Sequence, residues 1–381
     1  MEPETQTPPD DRRVVMVTGG QGFIGYHLIK HILTGDPDAL VINVDSGQYA
    51  AANGTRFILG RYAACRPVAD KEAINYIWCE NSLIGCDDSR STLRWVMDKY
   101  KPHVIYHLAA ESHVDRSIDS AMQFTYANVA GTQSLLELAR TNERLEKFVY
   151  VSTDEVYGDL PASRWVAGNW IYVPRGFVEY CPLNPRNPYA ASKASAEHVC
   201  MAYYNTYGVP VVITRGCNTF GTFQFPEKFI PVICDNIVND RKIPVYGDGQ
   251  QKRQWMHVDD HVEGIVLAGQ KGKVGEAYNL GTAEPQTNMW VVELALQTFN
   301  KPRSLIEYVQ DRPGHDRYYW INSGKAYDEL GWEPYRSPTP DNTRSLAETM
   351  GWYGTRLAQR WIKLTGHKTE SRLGLCSKES S

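Results

Sequence analysis

The sequence predicts an α/β protein in which a doubly wound parallel sheet carries a smaller C-terminal α/β lobe. Short apolar runs, suited to strands buried on both faces, alternate with segments of helical periodicity in the first half of the chain. A glycine-rich turn joins the first apolar run to the first helical segment. The 381 residues suffice for one large α/β unit with an appendage, or for two domains.

The first elements form one βαβ unit. The Val-Val-Met-Val run within Arg13–Thr18 predicts a strand, and Phe23–Leu33 predicts a helix that stops at Gly35. Leu40–Val44 is the second predicted strand and leads into Asp45. Strand, turn, helix and strand in this order require parallel pairing of the two strands.

The same alternation continues along the chain. Residues 46–90 show no clear period, and Ile74–Cys79 is their most strand-like segment. Beyond them the pattern predicts strands at Val104–Leu108, Lys147–Ser152 and Pro210–Arg215, and helices at Thr92–Tyr100, Ala121–Arg140 and Asn187–Tyr207. In the last helix Asn187 is the predicted N-cap, Pro188 the first residue and Gly208 the stop. The proline-containing segment 160–187 is predicted to be an irregular loop.

These elements suggest four parts of the chain. Residues 1–12 form a polar, proline-rich lead and residues 365–381 a polar tail, and both are predicted to be disordered. Residues 13–216 form the predicted dinucleotide-binding domain, to which the chain returns at about 240–262. Residues 217–355, where elements become shorter, mainly form the predicted substrate lobe.

The composition excludes several classes of protein. With 40 basic and 44 acidic residues the formal charge is −4, so neither nucleic acid nor an anionic membrane is an expected partner. No apolar run approaches the roughly 18 residues that cross a bilayer. The N-terminus has no apolar core and does not read as a signal peptide. Because the eight cysteines are scattered, without a CxxC pair, free thiols in a reducing cytosol and no metal site are expected.

The glycine-rich turn has the spacing of a dinucleotide site. Gly20–Gly25 fits G-x-G-x-x-G, and the overlapping Gly19, Gly22 and Gly25 fit the related G-x-x-G-x-x-G pattern. Glycine lets the backbone turn sharply and approach a pyrophosphate at the N-terminus of a helix. The acidic Asp45, 20 positions after Gly25, is suited to the adenosine ribose 2′-OH and would repel a 2′-phosphate, which favours NAD over NADP. The alternative is a purely structural turn.

Two further segments carry chemistry. Tyr189 and Lys193 stand four residues apart, on one face of the predicted helix. A lysine ammonium and a nearby nicotinamide cation are expected to lower the phenol pKa toward neutral pH, so that the tyrosine can take a hydroxyl proton. Asp154 and Glu155 follow a buried strand at its C-terminal end, where doubly wound sheets place their active sites. An acid and a base acting on neighbouring substrate carbons would explain this pair; a turn cap is the alternative.

Several long motifs occur together and in order. They are Thr-Gly-Gly-x-Gly-Phe-Ile-Gly at 18–25, Leu-Ala-Ala-Glu-Ser-His-Val-Asp-Arg-Ser-Ile at 108–118, Ser-Thr-Asp-Glu-Val-Tyr-Gly at 152–158, Asn-Pro-Tyr-Ala-Ala-Ser-Lys-Ala-Ser-Ala-Glu-His at 187–198, Phe-Pro-Glu-Lys-Phe-Ile-Pro at 225–231, Pro-Val-Tyr-Gly at 244–247 and Asp-Arg-Pro-Gly-His-Asp-Arg at 311–317. With these motifs, residues 13–355 resemble the nucleotide-sugar 4,6-dehydratases, a family of extended short-chain dehydrogenases/reductases with a Rossmann domain.

The resemblance implies a redox-neutral lyase that uses NAD. Tyr189, assisted by Thr153 and Lys193, would oxidise C4 of a nucleotide-bound hexose. Glu155 would then take the C5 proton while Asp154 protonates the departing C6 hydroxyl, and hydride would return to C6. The expected substrate is dTDP-glucose, with UDP-glucose or UDP-N-acetylglucosamine as alternatives, since one methyl group on the base discriminates by only ~1–3 kcal/mol.

The resemblance also implies the binding residues. The cofactor set is Gly19, Gly22, Phe23, Ile24, Gly25, Asp45, Leu108, Ala109, Ala110, Tyr189 and Lys193. The substrate set is Glu111, Ser112, Thr153, Asn218, Lys228, Phe229, Tyr246, Arg253, Asn288, Arg312 and His315. Three of these, Lys228, Arg253 and Arg312, are cations suited to a diphosphate. By the same analogy, helices Ala121–Arg140 and Asn187–Tyr207 would pair with those of a second copy in a four-helix homodimer interface.

Departures from the family and other functions stay open. Ser46 follows Asp45 where the family has lysine, and the family's Gly-Asp-Ile after the third strand is not evident. The stretch 161–176, with Trp165 and Trp170, is additional; it is expected to pack on the body of the protein, and a lid or an interface is the alternative. A UDP-sugar 4-epimerase or a decarboxylase is less favoured, because the family's epimerases lack the Asp-Glu pair and its decarboxylases usually keep only the glutamate. A non-catalytic NAD-binding scaffold is the alternative from another class.

Overall fold

The computed structural model describes residues 12–47, 76–80, 82–83, 91–160, 163–166, 169–172 and 176–366. Its central element is a parallel sheet of seven strands, confirming the predicted fold class. In chain order these strands are β1 (Val14–Thr18), β2 (Leu40–Asp45), β3 (Tyr76–Glu80), β4 (Val104–His107), β5 (Lys147–Thr153), β6 (Val211–Gly216) and β7 (Ala277–Leu280).

The helices follow the strands in alternation. They are α1 (Phe23–Gly35), α2 (Thr92–Tyr100), α3 (Val114–Asp119), α4 (Ala121–Phe124), α5 (Gly131–Ala139), α6 (Pro188–Tyr207), α7 (Phe229–Val238), α8 (Val258–Lys271), α9 (Asn288–Thr298), α10 (Gly324–Leu330), α11 (Arg344–Tyr353) and α12 (Arg356–Thr365). Within the described ranges, no helix is both long and apolar enough to span a bilayer.

The strand order places a crevice at the centre of the sheet. Across the sheet the order is β7-β6-β5-β4-β1-β2-β3, so the chain moves outward from β1 to β3 and then crosses back to β4 on the other side of β1. Val14 pairs with Leu40, and Val15 with Val104, on the two sides of β1. The C-terminal ends of β1 and β4 therefore diverge into the helices of opposite faces, and ligands bind at such a switch point.

Three apolar clusters hold the layers together. One face of the sheet packs on α1 and α8 through residues such as Leu28 and Ile265. The other face packs on α2, α5 and α6 through residues such as Leu93 and Leu135. The third cluster lies in the C-terminal lobe, beneath α7, α9 and α11, and includes the fully buried Tyr353. The sheet is thus covered on both faces, as an all-parallel sheet requires.

The lobe also contains short paired strands. Asn218–Phe220 pairs with Trp255–His257, and Ile243–Tyr246 pairs with Ile306–Val309, both in parallel. Lys252–Arg253 pairs with Gln286–Thr287 in antiparallel fashion. The chain returns to the large sheet through α8 and the edge strand β7.

Several local predictions need correction. The predicted helix 121–140 is not one α-helix, because Thr125–Ala130 forms a π-helical segment between α4 and α5. The predicted loop 160–187 contains an antiparallel hairpin, Ser163–Val166 with Asn169–Tyr172. The third strand lies at Tyr76–Glu80, slightly beyond the predicted 74–79. Residues 1–11, 48–75, 84–90 and 367–381, on which other predictions fall, lie outside the described residues.

The predicted caps of α6 are confirmed. Asn187 Oδ1 accepts a hydrogen bond from the Ala190 backbone N–H at 2.8 Å. Pro188 occupies the first helical position, and Gly208 ends the helix in the left-handed conformation at φ +71°. The cysteines within the described ranges, Cys79, Cys181, Cys200, Cys217 and Cys234, are free thiols.

Candidate active site

The glycine turn between β1 and α1 brings bare backbone to the switch point. A Cβ on Gly19, whose φ is +75°, would lie 2.7 Å from the Ala109 backbone nitrogen after β4. A Cβ on Gly25 would lie 2.2 Å from the Gly19 carbonyl oxygen. Both positions therefore need glycine. Gly22 caps α1 without a side-chain hydrogen bond, and the first turn of α1 has no acidic residue, so its N-terminus keeps the partial positive charge that attracts phosphate.

Asp45 lies at the end of β2, beside this turn. Its Oδ2 accepts a hydrogen bond from the Gln21 backbone N–H and its Oδ1 from that of Gly47, both at 2.9 Å. Burial raises the pKa of Asp45, and these two backbone donors oppose the shift. Each carboxylate oxygen has a second lone pair for another donor, such as a ribose hydroxyl.

The second half of the site begins where β5 ends. Thr153 Oγ1 accepts a hydrogen bond from the Glu155 backbone N–H at 3.3 Å and donates to Asp154 Oδ1 at 3.2 Å. The chain then makes a 3₁₀ turn over Asp154–Tyr157, so the two neighbouring carboxylates point in different directions. Asp154 is 3% exposed, and its Oδ2 has no hydrogen-bond partner among the described residues.

The environment of Asp154 favours a proton on its carboxyl group. Burial, followed by the charge of Glu155, raises the pKa of Asp154 to about 7. Arg253 acts in the opposite direction but does not cancel the shift. Near neutral pH, Asp154 is therefore able to donate a proton through its unpartnered oxygen.

Helix α6 presents Tyr189 and Lys193 to the same region. Lys193 Nζ donates to the Val151 carbonyl oxygen at 2.6 Å and lies 4.2 Å from the ring centroid of Tyr150. Burial lowers the pKa of Lys193 to about 8. The predicted lowering of the Tyr189 pKa is wrong for the protein alone, because burial and then the charges of Glu155 and Asp154 raise it. The prediction included a nicotinamide cation, which the protein itself does not supply.

The predicted site residues line two adjoining cavities. The larger, about 480 Å³, extends from the glycine turn and Asp45, past the loop after β4, to the end of β5 and the start of α6. Its predicted lining residues are Gly19, Gly22, Phe23, Ile24, Gly25, Asp45, Leu108, Ala109, Ala110, Glu111, Thr153, Asp154, Tyr189 and Lys193. The smaller, about 160 Å³, is lined by Phe229, Tyr246, Arg253, Asn288, Arg312 and His315. Ser112, Glu155, Asn218 and Lys228 line both. The chain thus brings the two predicted residue sets together, with Glu155 at their junction.

The smaller cavity holds the predicted diphosphate cations. Lys228 Nζ donates to the Ser112 carbonyl oxygen at 2.8 Å. Arg312 Nη1 lies 3.2 Å from Asp115 Oδ1, and the hydroxyl of Tyr246 donates to Asp115 Oδ2 at 3.3 Å. Asp115 was not among the predicted site residues, although it lies within the motif at 108–118. It holds Arg312 and Tyr246 in place from the opposite wall.

His315 is a neutral side chain of the same cavity. Burial and then the charge of Arg312 lower the pKa of His315 to about 4. A neutral ring donates from one nitrogen only, so its Nδ1, 2.6 Å from Asp311 Oδ1, carries the hydrogen. The free Nε2 is then an acceptor.

A buried polar chain beneath the site was also missed. His107, at the end of β4, contacts Thr18 Oγ1 through Nδ1 at 2.7 Å and Thr132 Oγ1 through Nε2 at 2.8 Å. The Thr132 hydroxyl donates to the Asn128 carbonyl oxygen at 2.6 Å, so it accepts from Nε2–H. Burial lowers the pKa of His107 to about 3, which keeps the ring neutral. Its Nδ1 therefore accepts a hydrogen bond from the Thr18 hydroxyl. Through His107 and Thr132, this chain of hydrogen bonds connects the end of β1, just before the glycine turn, to Asn128 in the π-helical segment.

The π-helical segment ties this chain to the active site. Its Asn128 is 1% exposed; Oδ1 accepts from the Glu111 backbone N–H at 2.8 Å, and Nδ2 donates to Ser192 Oγ at 2.8 Å. One side chain thus fixes both the loop after β4 and the helix that carries Lys193. The only sequence signal was an asparagine between Ala127 and Val129 within the predicted helix.

Comparisons with known proteins place the chain among dehydratases. A family model described as GDP-mannose 4,6 dehydratase matches residues 16–338. The chain is 38% identical over 358 residues to a dTDP-glucose 4,6-dehydratase of Haemophilus influenzae, which covers 89% of this chain and 97% of that protein. The crystal structure of a dTDP-glucose 4,6-dehydratase from Streptomyces venezuelae with NAD bound matches with a TM-score of 0.78 at 36% identity, covering 92% of this chain and 99% of that one. The enzyme of that name from Bacillus anthracis, in complex with NAD, matches with a TM-score of 0.77 at 36% identity, with the same coverage.

Proposed function

Because the chain belongs to the nucleotide-sugar 4,6-dehydratase family, we propose that it converts dTDP-glucose into dTDP-4-keto-6-deoxyglucose and water. The observation that carries this proposal is the pair Asp154 and Glu155, which diverge at the end of β5 into a cavity that also holds Tyr189 and Lys193. An oxidation followed by an elimination needs these four groups together.

NAD fits the larger cavity. The glycines, at which a Cβ would meet nearby backbone, and the N-terminus of α1, which no side chain caps, suit a pyrophosphate. Asp45, with its remaining lone pairs, suits a ribose hydroxyl, and its negative charge opposes a 2′-phosphate. Loop residues Leu108, Ala109 and Ala110 form the opposite wall. When bound, NAD supplies the acceptor and the donor of the hydride that the two redox steps need.

Tyr189 and its neighbours serve the C4 hydroxyl. Tyr189 Oη takes the proton of this hydroxyl, and Lys193 Nζ, held by the Val151 carbonyl, contributes the positive charge that stabilises the resulting phenolate. A side-chain hydrogen bond between Thr153 and Tyr189 lowers the pKa of Tyr189 against the effect of burial.

The two carboxylates serve the elimination. Glu155 takes the C5 proton, which the C4 ketone makes acidic. Asp154, with a pKa raised to about 7, gives its proton to the C6 hydroxyl oxygen as water leaves. A contrast in their surroundings supports these roles. Asp154 is buried, and its Oδ2 has no hydrogen-bond partner among the described residues, whereas Glu155 Oε2 accepts a hydrogen bond from Asn187 Nδ2 at 3.1 Å.

The nucleotide sugar is proposed to lie across the two cavities. Lys228, Arg253 and Arg312 bind the diphosphate, and Tyr246 or Phe229 packs against the base. Glu111, Ser112, Thr153, Asn218, Asn288 and His315 complete the substrate set. On this assignment residues 13–216, with the returning segment at about 240–262, form the NAD-binding domain, and residues 217–355 mainly form the nucleotide-sugar lobe.

A homodimer is also proposed. Large apolar side chains stand exposed on the helices expected to form its interface, with Met122 60%, Tyr126 55% and Tyr207 54% exposed. Burying such groups against a second copy would remove a large apolar area from water. The free thiols support the further proposal of a cytoplasmic location.

Mass spectrometry with a panel of nucleotide sugars tests the proposed function. The purified protein is incubated, without added NAD, with dTDP-glucose, UDP-glucose, UDP-N-acetylglucosamine, CDP-glucose and GDP-mannose. Loss of one water from dTDP-glucose alone is the expected result. Loss of water from another member would correct the substrate. An unchanged mass throughout, even with added NAD, would contradict the dehydratase and direct the work to epimerase assays and then to a non-catalytic role.

A further inference from the structure

Two buried side chains behind Glu155 have no part in the mechanism above. Tyr319 is 3% exposed and Asp316 is 1% exposed. The Tyr319 Oη lies 2.5 Å from Asp316 Oδ2 and 3.4 Å from Glu155 Oε2. The three side chains therefore form a line of oxygens that ends at the base of the elimination.

When Glu155 and Asp316 are both ionised, the three oxygens share a single hydrogen, that of the Tyr319 hydroxyl. The phenol is their only donor, and the nearer oxygen is that of Asp316. Burial raises the pKa of Asp316, and the hydrogen bond from Tyr319 and the charge of Arg186, whose Nη1 lies 3.0 Å from Asp316 Oδ1, oppose this shift. With its hydrogen on Asp316, Tyr319 presents a lone pair to Glu155 Oε2.

The other partner of Glu155 Oε2 has the opposite character. Asn187 uses its Oδ1 to cap α6, so its Nδ2 faces Glu155 and donates to Oε2 at 3.1 Å. One neighbour of Oε2 thus donates a hydrogen, which suits a carboxylate, and the other accepts one, which suits a carboxylic acid. A base that takes up a proton and later returns it needs a partner in each state.

We propose that Tyr319 is a positioning residue for the proton that Glu155 carries. When the C5–H bond breaks, its electron pair forms the C5–C6 double bond while the C6–O bond breaks, and Glu155 takes the proton. The new O–H of Glu155 donates to Tyr319 Oη, whose own hydrogen stays on Asp316. This inference rests on the proposed function, in which Glu155 is the base at C5.

The ring of Tyr319 has a separate role. It lies 4.0 Å from the guanidinium carbon of Arg253, and Arg253 Nη2 donates to the Asp316 carbonyl oxygen at 2.7 Å. Tyr319→Phe keeps this cation–π contact and removes only the hydroxyl. The variant therefore tests the proton partner of Glu155 without removing the support of a proposed diphosphate ligand.

The experiment measures steady-state kinetics with dTDP-glucose that carries deuterium at C5 or at C4. For Tyr319→Phe we expect kcat to fall about tenfold, the effect of losing one hydrogen bond in the transition state, with KM within about twofold of wild type. The isotope effect for C5 deuterium should rise, because the C5 step becomes slower than the others. The isotope effect for C4 deuterium should not rise.

Controls separate this role from a structural one. Tyr318→Phe removes the neighbouring phenol, whose ring lies 5.6 Å from Lys252 Nζ, and should leave all four quantities at their wild-type values. If Tyr319→Phe does not fold, Asp316→Asn replaces it, because a weaker hold on the phenolic hydrogen predicts the same C5-selective effect at smaller size. An unchanged C5 isotope effect in a folded variant would overturn the inference. A wild-type protein that releases no water from dTDP-glucose would instead overturn the proposed function.

Discussion

Replacing Asp154 with asparagine should stabilise the protein at alkaline pH while abolishing the elimination. Asp154 is almost fully buried, and its pKa rises from 3.8 to about 7 on folding. At about 1.4 kcal/mol per pH unit, this shift of roughly three units corresponds to a cost of about 4 kcal/mol for holding the ionised group in the fold. Asparagine has nearly the same shape and carries no charge at any pH.

The sign of the pH dependence follows from the direction of the shift. Because the folded pKa lies above the unfolded one, the contribution of Asp154 to stability is full below about pH 3.8 and is lost as the pH rises to about 7. The melting temperatures of wild type and Asp154→Asn, measured by scanning fluorimetry, should therefore be similar at pH 4. They should separate with rising pH, with the variant several degrees higher above pH 8. In the Glu155→Gln background the separation should begin at the same pH, which the unfolded pKa sets, but it should be smaller and level off at a lower pH, since the charge of Glu155 is the second cause of the raised folded pKa.

An exposed residue provides the matched control. Asp98→Asn, on the solvent side of α2, should change the melting temperature little and equally at each pH. A difference between wild type and Asp154→Asn that stays constant from pH 4 to pH 8, or a variant less stable than wild type at pH 8, would refute the reasoning. The buried carboxyl would then have a compensating partner.

Two further predictions concern the cofactor and the assembly. We expect the wild-type protein to copurify with a nicotinamide dinucleotide, which absorbance after denaturation measures, and Gly25→Ala to lose it, because the new Cβ would lie 2.2 Å from the Gly19 carbonyl oxygen. Gly35→Ala, in the same helix, is the control and should retain the dinucleotide, because a Cβ there meets nothing within 4 Å. Equal retention of the dinucleotide by the two variants would argue against a pyrophosphate site at the glycine turn. In sedimentation, the wild-type protein should have twice the monomer mass of 43.1 kDa, and Met122→Glu should have the mass of the monomer. Tyr335→Glu changes a side chain that is 74% exposed outside the proposed interface, and this variant should remain a dimer. A monomeric wild type would contradict the dimer.

The sequence was most informative where local rules are strong. The strands β1, β2, β4, β5 and β6 all lie within a residue or two of their predicted bounds, because parallel strands buried on both faces are uninterrupted apolar runs. The caps of α6 were predictable because Asn187, Pro188 and Gly208 each have one strong positional preference. The glycine turn was predictable because few residues other than glycine fit such close backbone contacts.

Contacts between distant segments could not be predicted in the same way. The sequence separates Asp115 from Arg312, and Glu155 from Tyr319, by well over a hundred positions, and no local pattern records such pairs. The π-helical segment was missed for a related reason. Within it, the Asn128 side chain bonds to Glu111 and Ser192 on other elements, and such tertiary contacts leave no local pattern. The raised pKa of Tyr189 in the protein alone was not predictable, because burial, which depends on the whole fold, is its largest cause and the nicotinamide cation of the prediction is not part of the protein.

The roles proposed for Asp154 and Glu155 illustrate how distant contacts can give adjacent, similar residues different chemistry. At the 3₁₀ turn Asp154 is buried with one of its oxygens left without a donor among the described residues, and this favours the protonated acid. The same turn directs Glu155 to Asn187, whose Nδ2 donates to Glu155 Oε2 at 3.1 Å. Two carboxyl groups with such different surroundings can act at one moment as acid and base. Exchanging the two side chains, Asp154→Glu with Glu155→Asp, would therefore not preserve the site, since the roles belong to the positions and their partners.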